Sequence, residues 1–322
     1  MNKVIKNIFK NFRGILAADE SDRTMTNRLG SVNQESTPET RHSYRHTIFS
    51  TPDLKRSVGG VILFDETLRS EETIAPLIEN DIAIGIKVDK GAKPYFSGSY
   101  ETLTEGLDGL DQRLIEYKKM GAQFAKWRAV LLQKNSPTGL LANCWTLARY
   151  AKKCQSHGIV PIVEPEVLMN GIHSIEDSYK ITRQTLHILF DALHYEDVEL
   201  EDTILKPNMI VSGYESKDRV DAETVAKMTV KCFRDEVPCS VPAIAFLSGG
   251  QSDDKAIENL SHINRLDNLS TDEEKKPWRL SFSFGRAMQS GALKLWSDGL
   301  IKEAQNWTRE RGLICQKAVR GY

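Results

Sequence analysis

Residues 201–213 read EDTILKPNMIVSG, and they place Lys206 between a short apolar run and Pro207. Desolvating an ammonium costs several kcal/mol unless something compensates. A β run that closes on lysine therefore predicts a strand whose end opens into a polar pocket. Pro207 cannot donate a ladder hydrogen bond, so it marks where that strand stops.

The same form recurs along the chain. Short β-rich runs read GILAAD at 14–19, VGGVILF at 58–64, AIGIKVD at 83–89 and FAKWRAV at 124–130. VPIVEP at 160–165, TILKPN at 203–208, AIAFLSGG at 243–250 and LSFSFG at 280–285 complete the set. Continuous short runs suit strands buried on both faces, as in a parallel sheet. Between them lie segments with helical spacing. GLDGLDQRLIEYKKMG at 106–121 carries Leu107, Leu110, Leu114 and Tyr117, with Gly121 as C-cap; AETVAKMTVKCFRDE runs up to Val237 and Pro238. Alternation of this kind predicts an α/β fold, a (β/α)₈ TIM barrel. No Pro/Ser/Gly-rich linker divides residues 1–322, so a single domain is expected.

At the ends, residues 1–13 predict an amphipathic helix through Val4, Ile5, Ile8, Phe9 and Phe12, and residues 316–322 read as a short tail. The charge-dense stretch LSTDEEKKP at 269–277 predicts a solvated loop before the last strand.

Composition narrows the function. Of 322 residues 40% are apolar and 27% charged, with a net charge of −1, so no bulk field favours nucleic acid or an anionic membrane. No apolar run approaches the roughly 20 residues of a membrane span, and the N-terminus lacks the apolar core of a secretory signal. Five scattered cysteines without a C-x-x-C pair argue against zinc or disulfides and for a reducing cytoplasm. The seven histidines include no H-E-x-x-H and none falls in a β run, so neither a metal site nor a cofactor is expected. There is no G-x-S-x-G, G-x-G-x-x-G or P-loop.

Several runs carry charges that a packing core would not tolerate. Asp19 closes the first and Lys87 interrupts the third; Lys126 and Arg128 share a face of the fourth; Glu164 lies in the fifth and Lys206 in the sixth. Any one of them alone could pair locally or snorkel to the rim. Together, on separate strands and at similar depth, they predict a pocket at the strand ends. Lysines sharing a low-dielectric pocket with other cations have depressed pKa values, and a neutral amine attacks carbonyls to form an imine. Carboxylates at Glu164 and Asp19 supply proton transfer. FLSGGQS at 246–252 and FSFGR at 282–286 place Ser248, Gly249, Gly285 and Arg286 where barrels bind phosphate. The set suits carbon–carbon bond chemistry through a Schiff base on a phosphorylated substrate.

With GILAADES, GGVILFDETL, GIKVDKG, GLDGL, GAQFAKWR, GIVPIVEPE, ILKPNM, FLSGGQS and FSFGRAMQ in order, the chain resembles class I (Schiff-base) fructose-1,6-bisphosphate aldolases from about Gly14 to Cys315. The resemblance implies that Lys206 forms the imine and that Glu164 is the acid/base of carbinolamine formation and dehydration. It implies that Asp19 takes the C4 hydroxyl proton and that Lys126 stabilises developing negative charge. It further implies substrate contacts at Lys87, near the C6 phosphate, and at Arg128, Ser21, Arg28 and Glu166. The C1 phosphate would rest on Ser248, Gly249, Gly285 and Arg286. A homotetramer follows from the same likeness. Three departures stand out: DRTM after DES, so that Thr24 replaces a phosphate-binding serine; Phe284 where tyrosine is usual; and a shorter tail ending in Tyr322. The altered turn keeps open a preference for another phosphorylated ketose, such as fructose 1-phosphate or sedoheptulose bisphosphate. A scaffold role also stays open, although the full set of catalytic residue types argues against it.

Overall fold

The computed structural model describes residues 2–268 and 276–322, so most of the loop expected at 269–277 lies outside the described residues. Among the described residues ten strands occur in chain order: β1 (Gly14–Ala18), β2 (Val58–Leu63), β3 (Ala83–Lys87), β4 (Ala92–Pro94), β5 (Thr102–Thr104), β6 (Phe124–Leu131), β7 (Val160–Val167), β8 (Ile204–Leu205), β9 (Ala243–Phe246) and β10 (Arg279–Phe284). Eight of them close a barrel in the order β1-β10-β9-β8-β7-β6-β3-β2, all neighbours parallel. The eight runs predicted from sequence are these eight strands. β4 and β5, which the sequence did not announce, pair antiparallel as a separate hairpin between β3 and β6.

Period-2 alternation divides each barrel strand between two cores. Outward residues such as Leu16, Val61, Trp127, Val163 and Phe282 pack against the surrounding helices. Inward residues at the start of the strands, among them Ile15, Ile62, Phe124, Ile162 and Ile204, fill the barrel bottom. Each fully buried Ile or Phe contributes about 1.5–3 kcal/mol. The helices begin where local chemistry dictates. Ser136 accepts from the Gly139 amide ahead of Pro137–Ser156, Ser174 and Asp177 form a capping box on Ile175–Tyr195, and Asp221 caps Ala222–Glu236.

The N-terminal segment plugs the barrel. Ile5 and Ile8 are fully buried and join the inner cluster with Phe9. Gly59 makes this approach feasible, since a Cβ there would sit 1.8 Å from the Ile8 carbonyl oxygen. The helix is shorter than expected. It spans Lys3–Ile8 and gives way to a 3₁₀ turn, Lys10–Phe12, in which Asn11 adopts φ 57° and Phe12 φ 62°. Phe12 is thereby turned outward, half exposed, beneath the Arg320 guanidinium. The C-terminal expectation also needs correcting. The last helix runs Ile301–Val319, so residues 316–319 are helical, because Cys315, Ala318 and Val319 bury against the fold. Only residues 320–322 lie beyond it.

Candidate active site

Along the same strands, the inward face changes from apolar to ionic. On β6 the inward sequence is Phe124, Lys126, Arg128; on β7 it is Val160, Ile162, Glu164, Glu166; beyond β8 Ile204 is followed by Lys206. β1 passes from Ile15 and Ala17 to Asp19 just after its last residue. Register sets these groups level: Lys87 is paired across from Lys126, and Arg128 from Glu164. The polar ends enclose a cavity of about 1230 Å³ at the C-terminal mouth of the barrel. Asp19, Ser21, Arg28, Lys87, Lys126, Arg128, Glu164, Glu166, Lys206, Ser248, Gly249, Gly285 and Arg286 all line it, as does Thr24.

Four of these groups form a continuous row on the floor. Lys126 Nζ lies 2.7 Å from Asp19 Oδ2 and 3.2 Å from Glu164 Oε2, and Lys206 Nζ lies 3.1 Å from Glu164 Oε1. Lys126, Glu164 and Lys206 are each less than 5% exposed. Burial alone would raise the Asp19 carboxyl, yet the charges of Lys126 and Lys206 pull it down to about 2. Glu164 is likewise pushed up by burial but drawn below its ordinary value by Lys126, Lys206 and Arg128. The depressed value expected of clustered lysines does not hold for Lys126. Burial disfavours its charge, but Asp19 and Glu164 outweigh burial and hold its pKa above the usual lysine value. In the resting site both carboxylates are therefore charged and able to accept protons.

Around this row the walls are built by pairing. Arg128 Nε donates to Glu166, and Gly249 lies under that carboxylate: a Cβ on Gly249 would stand 2.6 Å from Glu166 Oε1. Arg286 donates to the Gln251 carbonyl at 2.7 Å, at the turn that follows Ser248 and Gly249. Ser21 and Thr24 hydroxyls are 3.2 Å apart at the start of the helix Asp22–Gly30. Phe284 faces away from the cavity, fully buried against Phe282. The hydroxyl missing there is absent from the core side, not from the cavity wall.

Three residues escaped the sequence reading. Asp89 accepts from Lys87 Nζ at 2.5 Å, from the Gly91 amide at 3.1 Å and from the Arg128 amide at 3.2 Å, tying the ends of β3 and β6 together. Glu20 accepts from Arg28 at 2.5 Å and from Gln289 at 2.9 Å, while its carbonyl accepts from buried Arg45. Ser283, on the inward face of β10 two residues before Gly285, is buried and lines the cavity. The alternation of FSFGR, with both phenylalanines outward, was the available signal for Ser283. Asp89 and Glu20 had none beyond their position at the end of an apolar run. Among the described residues no group of three or more His, Cys, Asp or Glu side chains is placed to hold a metal ion.

A family model described as fructose-bisphosphate aldolase class-I matches residues 1–322. A probable fructose-bisphosphate aldolase class 1 of Xanthomonas campestris pv. campestris is 45% identical over 314 residues, spanning 95% of this chain and 91% of that protein. Fructose-bisphosphate aldolase B of Bos taurus is 42% identical over 332 residues, covering 100% of this chain and 90% of its own length. Among solved structures, fructose-bisphosphate aldolase from Plasmodium falciparum, in complex with TRAP and a small-molecule inhibitor, superposes with a TM-score of 0.94 at 39% identity. That match covers 99% of this chain and 93% of the other.

Proposed function

The chain belongs to the class-I fructose-bisphosphate aldolase family, and on that premise we propose that Lys206 is the imine-forming lysine of a reversible cleavage of fructose 1,6-bisphosphate to dihydroxyacetone phosphate and glyceraldehyde 3-phosphate. The observation that carries this assignment is the buried row Asp19–Lys126–Glu164–Lys206 at the floor of the cavity.

Its chemistry fits the reaction. Glu164 accepts a proton from Lys206, and the freed amine adds to the C2 carbonyl of the open-chain ketose. The same carboxyl then returns the proton to the carbinolamine hydroxyl, which leaves as water. The protonated imine draws in the electron pair of the C3–C4 bond as Asp19 takes the proton of the C4 hydroxyl, and the aldehyde departs. Lys126, held cationic by its two carboxylates, stabilises negative charge that develops beside it. The remaining enamine is protonated at C3, and hydrolysis of the imine releases the ketone phosphate.

Lys87, Arg128, Glu166, Ser21 and Arg28 serve in this reading as substrate contacts, and Ser248, Gly249, Gly285 and Arg286 as the C1-phosphate seat. Their shared lining of one cavity supports those roles. A homotetramer belongs to the same reading and rests on the family likeness. A cytoplasmic site is supported by five cysteines that are all unpaired.

Borohydride reduction with substrate present tests the assignment. It should attach the ketose fragment to Lys206 in the wild type and leave Lys206→Ala unlabelled and inactive, with EDTA without effect. Activity that survives Lys206→Ala and is lost to EDTA would sink the reading.

A further inference from the structure

The cations around the cavity divide into two groups. Most are already engaged. Lys87 is bound to Asp89, Arg28 to Glu20, Arg128 to Glu166, and Arg286 to the Gln251 carbonyl with Asp253 at 3.6 Å. Arg23, Lys90 and Lys93 are different. All three line the cavity, and among the described residues their side chains make no ion pair or hydrogen bond. Asp22, the acid next to Arg23, faces Arg41 instead, at 4.0 Å.

The uncommitted charge is concentrated in one sector. Arg23 stands in the first turn of the helix that follows β1, Lys90 follows Asp89 beyond β3, and Lys93 projects from β4. In the closed barrel only β2 separates β1 from β3. Unpaired exposed lysines are ordinarily a solvated face, and a single one would mean nothing. Three cations of one sign at one lip, in a chain of net charge −1, make a local positive field over an opening. An anion arriving there meets charge that need not break a bond first. Lys87, by contrast, must leave Asp89 before its full charge is available.

We propose that Arg23 and Lys93, together with Lys90 of the same cavity lining, are specificity-determining residues that select ketose bisphosphates over ketose monophosphates by attracting the second phosphate. The proposal rests on the aldolase reading above and adds residues to which the family likeness gives no part.

The test compares kcat/KM for fructose 1,6-bisphosphate and fructose 1-phosphate in the wild type, Arg23→Ala, Lys93→Ala and the double variant. Each single change should lower the bisphosphate value about fivefold, through KM, the scale of one partly exposed charge contact. The double variant should lower it about twenty-fivefold if the two contacts act independently. Fructose 1-phosphate should move less than about twofold, and Arg23→Lys should restore most of the loss. Raising the salt concentration should shrink the wild-type discrimination. Parallel losses on both sugars, or an unchanged bisphosphate value, would overturn the proposal while leaving the aldolase reading intact. Failure of the wild type to turn over either sugar would overturn both.

Discussion

Lys206 and Lys126 are held by the two oxygens of one carboxylate, with Glu164 Oε1 3.1 Å from the first ammonium and Oε2 3.2 Å from the second. A proton leaving Lys206 thus has an acceptor at hand, and that acceptor's charge is stabilised on its other side. Glu164→Gln keeps the shape but cannot hold the proton. Its kcat should fall by about 10²–10⁴, the usual weight of a positioned general acid/base. The rate of borohydride trapping with substrate should fall in step. Trapping at the wild-type rate would remove Glu164 from imine formation.

Lys126 is the charge that lets two carboxylates coexist at the floor of the barrel. In Lys126→Met, Asp19 and Glu164 remain buried with that cation gone, at a cost of about 3–5 kcal/mol. The sign of its pH dependence follows. Carboxyls stripped of their cation take up protons more readily than in the unfolded chain, so the penalty is largest at neutral pH and eases as pH falls. Urea denaturation at pH 7 and pH 5 should show a smaller difference from wild type at the lower pH. An equal difference at both would mean that packing, not charge, is what Lys126 supplies.

Asp19 makes the complementary acid prediction. Its folded pKa of about 2 lies below the ordinary aspartate value because the effect of burial is overcome by Lys126 and Lys206. A depressed carboxyl contributes stability that is present above its unfolded value and lost as pH falls through the folded one. That contribution, roughly 2 kcal/mol, should disappear between about pH 4 and pH 2. Glu164, also lowered, adds loss in the same direction. Asp19→Asn should show a shallower fall in stability over this window, followed by urea midpoints from pH 5 downward. An identical slope in the two proteins would contradict the ion pair.

The barrel was legible in the sequence because its strands are short and apolar on both faces, and five of the eight runs carry an ionic residue near their end. Lys206, Glu164 and Lys126 announced themselves for the same reason, as charges in runs that should exclude them. Asp89 and Glu20 did not, because Asp89 is the last residue of its run and Glu20 the first after one, where a carboxylate is unremarkable in composition. Their importance lies in which amides and guanidiniums the closed barrel brings to them, and those partners are up to 39 residues away in the chain for Asp89. The final helix was hidden for another reason. Its last turn, residues 316–319, holds only two apolar residues in sequence, and the tertiary burial of Ala318 and Val319 shows why it continues. The hairpin β4–β5 has strands of three residues, too short to carry a period.

Gly59 offers a test of the barrel floor independent of chemistry. A methyl group there would meet the Ile8 carbonyl oxygen at 1.8 Å, a backbone atom that cannot rotate away. Gly59→Ala must therefore displace the Lys3–Ile8 helix from the barrel bottom, at about 1–3 kcal/mol for an overpacked core. The C-terminal mouth lies at the opposite end of the strands, so kcat and KM should hold at temperatures where the variant stays folded. The melting temperature measures the first effect and a steady-state assay the second. Unchanged stability would show that the N-terminal helix is not seated where Ile5 and Ile8 are buried.

Ser283 separates a binding role from a packing role. Its hydroxyl is buried and, among the described residues, has no hydrogen-bond partner, on the β10 face that also leads to Gly285. Burying an unsatisfied hydroxyl is unfavourable, so its presence implies a group that completes it when substrate is bound. Ser283→Ala takes away no protein hydrogen bond, and stability should stay within about 0.5 kcal/mol of wild type. KM for the phosphorylated ketose should rise several-fold, because one polar contact to the ligand is worth about 1 kcal/mol. A variant with wild-type KM would show that the hydroxyl serves the wall and not the ligand. A large loss of stability would show the same, since the orphaned hydroxyl would then have had a structural partner after all.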